Sequence, residues 1–225
     1  MHAPQISTWD PYEIQRYEQL YCELYEKKVQ AELHKLGMKL IAISDTHGSF
    51  AFHKNRFYEF LDTVEDFDLC ILLGDIHPAE IPVILDCIPV EKIIGLKGNH
   101  DDFDLYSRVG IREISGELYE YQGVRFVGLD GSFRYKSEPF PSHTQYESLK
   151  IARTLPDADV LLTHDIMMTN FHGEPAHSGL IGITDYVYSR GVQWHFHGHI
   201  HQSYEKPYPN GTKEKSVYLC EYIEI

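Results

Sequence analysis

Lys39-Leu40-Ile41-Ala42-Ile43-Ser44-Asp45-Thr46-His47-Gly48 sets the architecture of this 225-residue chain. An apolar run ends abruptly on a carboxylate, a hydroxyl, an imidazole and a glycine. A continuous apolar run bounded by turn residues predicts a strand buried on both faces. The same grammar recurs downstream. Leu69-Cys70-Ile71-Leu72-Leu73 runs into Gly74-Asp75, and Lys92 to Leu96 stops just before Gly98-Asn99-His100-Asp101. Asp159-Val160-Leu161-Leu162 leads to Thr163-His164-Asp165, and Val192 to His197 leads to Gly198-His199-Ile200-His201. Arg56 to Val64, the region near Ile81 to Cys87, Thr144 to Arg153 and Gly179 to Arg190 read as intervening helices, the last stopped by Gly191. Strands alternating with helices imply βαβ units, whose ligand sites lie at strand C-terminal ends. Leu118 to Tyr121 and Val124 to Leu129 flank Gln122-Gly123 as a hairpin. Tyr204 to Tyr208 and Ser216 to Ile223 are expected to form another around Asn210-Gly211, a turn reading preferred over the glycosylation sequon Asn210-Gly211-Thr212.

Upstream of this region, residues 10–36 read as one amphipathic helix. Asp10 caps it, Pro11 suits the first helical position and Glu13 completes a capping box. Tyr17, Leu20, Tyr21, Leu24 and Tyr25 mark one apolar face, and Gly37 is the stop. That face either packs on the back of the domain or joins a partner, as in a homo-oligomer. The expected organisation is therefore an N-terminal helical extension over 1–37 and one domain over 38–225.

Composition narrows the function. Hydrophobic residues make up 43% of the chain, enough for a folded core. No apolar run reaches the ~18 residues of a membrane span, and the N-terminal residues lack a signal-peptide pattern. The four cysteines, Cys22, Cys70, Cys87 and Cys220, form no CxxC pair. Cys70 and Cys87 read as small core residues, and a reduced cytoplasm is the expected setting. The formal net charge is −14, and two bound divalent cations, four positive charges, leave −10. With no cluster of Lys and Arg, a duplex nucleic-acid partner is disfavoured.

The five polar motifs carry carboxylates, imidazoles and an amide but no thiolate. That donor set suits borderline divalent ions such as Mn, Fe, Zn or Ni. Asp45 and His47 are two residues apart, as are His199 and His201, so an extended chain puts each pair on one face. Glycines at 48, 74, 98 and 198 are expected to turn the backbone beside these bulky side chains. His53 and His195 read as hydrogen-bonded core residues.

The order DxH, GD, GNHD, H, GHxH resembles the signature of the calcineurin-like metallophosphoesterases, over roughly residues 38–225. The resemblance implies a four-layer α/β/β/α sandwich holding two divalent metal ions. It implies that Asp45, His47 and His201 hold one ion, that Asn99, His164 and His199 hold the other, and that Asp75 bridges them. It further implies that a water activated between the ions would attack the phosphoester, with His100 as general acid beside the leaving group. Asp101, Glu80 and a backbone carbonyl are the candidates to orient His100, and Asp101 is itself a catalytic candidate beside it.

One departure separates this chain from the protein serine/threonine phosphatases of the superfamily. They carry GDxxDRG, whereas Gly74-Asp75-Ile76-His77-Pro78-Ala79-Glu80 lacks both the second Asp and the phosphate-binding Arg. The segment from His164 to His201 is similar to a small phosphodiesterase branch, in which the loop before the helix borders the cleft. His172 and His177 are therefore candidate substrate contacts, and Met167, Met168 and Phe171 a candidate apolar wall. The expected activity is hydrolysis of a small-molecule phosphodiester such as a nucleotide. The rivals are a phosphomonoesterase, a nuclease and a non-catalytic protein-binding scaffold on the same fold.

Overall fold

In the computed structural model, which describes residues 37–135, 141–168 and 175–225, the opening run forms strand β1 (Lys39–Ser44). It pairs in parallel with β2 (Leu69–Leu72) and antiparallel with β13 (Leu219–Glu224). Strands β3 (Ile93–Gly95) and β4 (Arg112–Glu113) complete a sheet ordered β13-β1-β2-β3-β4. The second sheet contains β5 (Leu118–Tyr121), β6 (Val124–Leu129), β9 (Val160–Thr163), β10 (Trp194–His197), β11 (Tyr204–Pro207) and β12 (Lys213–Ser216). Its order is β11-β12-β10-β9-β6-β5, with β6, β9, β10 and β12 mutually parallel. A small pair, β7 (Ser132–Phe133) with β8 (Ser142–His143), was not anticipated.

Side-chain alternation along β1 shows how the layers stack. Leu40 and Ala42 join Leu69, Ile71, Ile94, Phe126, Leu162 and Phe196 in a core contributed by both sheets. Ile41 and Ile43 point the other way, packing with Cys70 and Leu72 against helices α1 (Ser49–Phe52), α2 (Lys54–Leu61) and α3 (Ile81–Leu85) through Phe50, Phe57, Ile81 and Ile84. Beyond the second sheet, Val127, Leu129 and Leu161 meet Ala152 of α4 (Gln145–Thr154) and Ile183 and Val187 of α5 (Ile181–Arg190). The result is the expected four-layer α/β/β/α sandwich. Each fully buried Leu, Ile or Phe contributes about 1.5–3 kcal/mol, so the double-sided strands are the main source of cohesion.

Local signals explain the boundaries. Thr144 and Glu147 close a reciprocal capping box at the start of α4. Gly191, at φ 64°, ends α5 in the left-handed conformation. The last hairpin needs correction. β11 pairs antiparallel with β12 around the Asn210-Gly211 turn, but the strand expected over Ser216 to Ile223 is two strands. After Ser216 the chain leaves the second sheet, buries Val217 in the inter-sheet core and enters the first sheet as β13. Leu219, at φ 64°, makes the corner. Cys87 is exposed rather than a core residue, and so is His53. His195 is a buried core residue, bonded to Thr163 and Tyr208. The helix expected over residues 10–36 lies outside the described residues. Among the described residues, no helix is long and apolar enough to cross a membrane.

Candidate metal centre

β1, β2, β3, β9 and β10 all end at one edge of the sandwich, and each hands its polar loop to the same place. Asp45 lies one residue beyond β1 and is buried. Its Oδ2 accepts from Ser44 Oγ at 2.7 Å and from the His199 backbone N–H at 2.8 Å, which ties the two sheets' loops together. Its Oδ1 is buried and accepts no hydrogen bond from any described residue. An orphaned buried carboxylate oxygen is costly unless a cation or proton meets it. That oxygen faces His201 Nε2 at 3.3 Å and His47 Nε2 at 3.9 Å. The two Nε2 atoms are themselves 3.1 Å apart. Three ligand atoms converging this way form a donor set that a divalent ion fits.

A second group adjoins the first. Ligand atoms of Asp45, Asp75 and His164 lie within 4.8 Å of one another. Asp75 Oδ2 is 3.8 Å from His47 Nε2 and 3.5 Å from His164 Nε2, so one carboxylate oxygen stands between the two halves. Asn99 Oδ1 is 3.1 Å from His164 Nε2. His164 Nδ1 donates to the Leu73 carbonyl at 2.7 Å, which aims Nε2 into the cluster. His199 stands beside His164, with ring centroids 5.0 Å apart. Its Nε2 donates to the Ala176 carbonyl at 2.8 Å, which leaves Nδ1 as the lone-pair atom.

The protonation states match those roles. Burial lowers His199 to about 3, with a push from His164. Burial also lowers His47, against the pull of Asp75 and Asp45. Both imidazoles are therefore neutral near pH 7, as metal ligands must be. Burial works against charge on His164, but Asp75 and Asp45 outweigh it and hold that ring up at about 10. Burial likewise opposes an ionised Asp75, yet His164 drives its carboxyl far below the ordinary carboxylate range. The two acids thus favour positive charge at this position, whether on His164 or on a bound cation.

Backbone strain concentrates here. Asp45, His47, Asp75, His199 and His201 have φ between 44° and 70°, the left-handed region that side chains other than glycine's disfavour. These candidate ligand residues share the turn conformation with Gly48 and Gly74, at φ 91° and 93°, where the glycine turns were expected. Gly98 and Gly198 answer a different need, which is space: a Cβ on Gly98 would strike Asp75 and His164, and one on Gly198 would strike Ser44 and Asp45.

His100 is exposed at the rim, its ring centroid 5.8 Å from that of His47. Its backbone N–H donates to Asp75 Oδ1 at 2.9 Å. Asp101, the other catalytic candidate, is engaged by the backbone. Its buried carboxylate accepts 2.8 Å bonds from the backbone N–H groups of Gly98, Asp75 and Ile76, which clamps the β2 and β3 loops together. Burial, reinforced by Asp75, raises it to about 7 despite those donors. Glu80 does not orient His100. It is fully buried and accepts from Thr46 Oγ1 and from the N–H groups of Gly48, Phe50 and His77, holding the His47 loop. His177 is exposed, with its ring 5.1 Å from that of His199. Met167 is buried in the core under α5 instead of forming a wall. His172 and Phe171 lie outside the described residues.

Two contributors had escaped the sequence reading. Glu214 on β12 accepts from His197 Nε2 at 2.9 Å and Tyr204 Oη at 3.0 Å behind the His199 loop, while His197 Nδ1 reaches the Gly198 carbonyl at 3.0 Å. Tyr218 stacks on His201, with centroids 5.5 Å apart and planes 22° apart. No local pattern marks either residue; the pairing of β12 beside β10 brings Glu214 to the site, and the crossing of the chain between sheets brings Tyr218.

A sequence model of the calcineurin-like phosphoesterase superfamily domain matches residues 38–217. No curated protein matches the chain. Among solved structures, TT1561 of Thermus thermophilus superposes with a TM-score of 0.57 at 12% identity, over 81% of this chain and 89% of that one. A dimetal phosphatase from Danio rerio gives 0.53 at 10% identity, over 80% and 87%. Phosphopantetheinyl hydrolase from Mycobacterium tuberculosis gives 0.51 at 14% identity, over 81% and 90%. At such identities these likenesses show the fold.

Proposed function

The chain belongs to the calcineurin-like phosphoesterase superfamily, and from that premise we propose that it is a dinuclear-metal-dependent hydrolase of small-molecule phosphodiesters, with nucleotides as the substrate class. The observation that carries this reading is the position of Asp75 Oδ2, 3.8 Å from His47 Nε2 and 3.5 Å from His164 Nε2. It gives one carboxylate to two adjoining ligand groups. Asp45, His47 and His201 would hold one ion, Asn99, His164 and His199 the other, and Asp75 would bridge them. Manganese is the proposed metal and the cytoplasm the proposed setting. When bound, such ions supply Lewis-acid activation of water and of the phosphoryl oxygens.

The chain's own groups do the rest. Asp101 and Glu80 keep the ligand loops in register. Orphaned Asp45 Oδ1 and neutral His47 present lone pairs to the cation side without reorganisation. The His100 imidazole, exposed beside His47, gives a proton to the departing oxygen. His177, stacked edge-on against His199, contacts the substrate phosphate from the opposite side. A diester is favoured over a monoester because the position of the protein phosphatases' phosphate-binding Arg is taken by Ala79, which offers no cation to a doubly charged phosphate.

Hydrolysis of bis-p-nitrophenyl phosphate and p-nitrophenyl phosphate by metal-stripped protein, with and without Mn2+, tests the proposal. Metal-dependent cleavage faster on the diester, and lost in Asp75→Asn, is the expected outcome. Faster monoester cleavage would move the assignment to a phosphatase. A protein that binds metal but cleaves neither ester would speak for the scaffold.

A further inference from the structure

The two halves of the metal centre are unequally open. His164 is fully buried and His199 is 6% exposed, whereas the His47 and His201 side chains are 39% and 50% exposed. The open half is edged by aromatic rings. Phe52, at the end of α1, is 80% exposed. Its ring lies over the Gly48 backbone, since a Cβ added to Gly48 would meet Phe52 Cε2 at 3.0 Å. Tyr218 stacks on His201 and keeps 37% exposure. Its position is not incidental. Leu219 pairs with Ser44 across the first sheet, so Tyr218 stands level with the Asp45 loop. Leu219 also adopts φ 64°, a left-handed conformation that costs a side chain energy, next to the Tyr218 that stacks on His201. Burial in the core explains neither ring. Two rigid apolar faces held against backbone or imidazole beside a polar cluster suit a ligand with one planar and one anionic part.

We propose that Phe52 and Tyr218 form a subsite for the planar ring of the phosphoester's organic group, a nucleobase or an aryl ring, on the His47/His201 side of the centre. The subsite rests on the phosphoesterase reading and adds the part of the substrate that the metal ligands do not recognise. Both residues act through binding: stacking is sequence-tolerant, since every base offers a π-face, so the subsite selects planar from alkyl esters without choosing among bases.

Calorimetric titration of the Mn2+-loaded protein with adenosine 5′-monophosphate, ribose 5-phosphate and inorganic phosphate tests this. The first two share sugar and phosphate and differ in the base. The nucleotide is expected to bind about tenfold more tightly than ribose 5-phosphate. Phe52→Ala and Tyr218→Ala should each shrink that ratio, and together bring it near one, with ribose 5-phosphate affinity unchanged. Tyr218→Phe should retain the ratio. So should Tyr188→Ala, which removes an exposed ring near the C-terminal end of α5. Equal affinity of the wild type for the two sugar phosphates overturns the subsite while leaving the phosphoesterase intact. So does a Tyr218→Ala variant that weakens both alike, because Tyr218 would then only prop His201. If inorganic phosphate also fails to bind metal-loaded protein, the phosphoesterase reading falls and the subsite with it.

Discussion

Asp101 shows how a residue in a catalytic motif can serve the backbone. Its two carboxylate oxygens satisfy three N–H groups that belong to two different ligand loops. Each buried donor left without an acceptor costs about 1–3 kcal/mol. Asp101→Ala is therefore expected to destabilise the fold by on the order of 3 kcal/mol and to weaken metal binding. Asp101→Asn, which keeps a carbonyl oxygen, should fall between. Thermal melts and Mn2+ titrations check this; a variant that lost turnover with stability and metal affinity intact would support a catalytic role. Glu214 acts on the pH axis. Burial opposes its ionisation, but the His197 and Lys206 side chains outweigh burial and bring it down from 4.5 to about 2. A carboxyl depressed in the fold contributes its stability in full above pH 4.5 and loses it as pH falls toward 2. The wild type should lose roughly 3 kcal/mol over that window from this group, and Glu214→Gln should flatten the slope in acid denaturation curves.

At the scale of elements, the ligand loops are short pieces of chain held by acids that face backbone amides. Glu80 is the acid for the segment from Thr46 to Phe50. Glu80→Ala should free that segment, and because supporting contacts typically weigh 10–100-fold in metal affinity, Mn2+ binding should weaken by about that much. Glu80→Gln should recover part of the loss. Unchanged affinity in Glu80→Ala would mean that α1 alone fixes the loop. These supports also mark where the sequence stops being legible. Double-sided strands such as β1 and β2 announce themselves because burial on both faces demands an uninterrupted apolar run. The hairpin of β5 and β6 falls on its expected residues because Gln122 and Gly123 take the positive φ values that its turn requires. Glu80 and Asp101 look like ordinary turn acids, since their partners are amides that only tertiary structure brings near. The break between β12 and β13 was illegible for a similar reason. Val217 and Tyr218 suit a strand locally, and only the packing of Val217 between the sheets shows that the chain changes sheet there.

For the whole molecule, the centre is a seam. Asp45, His47, Asp75 and Asn99 follow strands of the first sheet, while His164, His199 and His201 follow strands of the second. Without metal, the seam is closed by weaker means: the His199 N–H on Asp45, the His164 proton facing Asp75, and the apolar core behind them. A ligand that binds only the native state stabilises it by RT ln(1 + [L]/Kd), about 2.7 kcal/mol at a hundredfold excess over Kd. For a domain of this size each kcal/mol moves the melting temperature by about 2–4 °C. Mn2+ at that excess should therefore raise the Tm by roughly 5–10 °C, and a chelator should return it to the metal-free value. Asp75→Asn should melt at the same temperature with and without Mn2+, because it weakens the carboxylate placed between both ligand groups. The metal-free variant is the informative case. Removing the charge of Asp75 takes away the main influence that holds a proton on His164 against burial, so the variant should melt below metal-free wild type, and the gap should narrow as pH rises toward 10 and the wild-type His164 loses its proton. A gap that stayed constant across that range would show that the two sheets are joined here by packing alone.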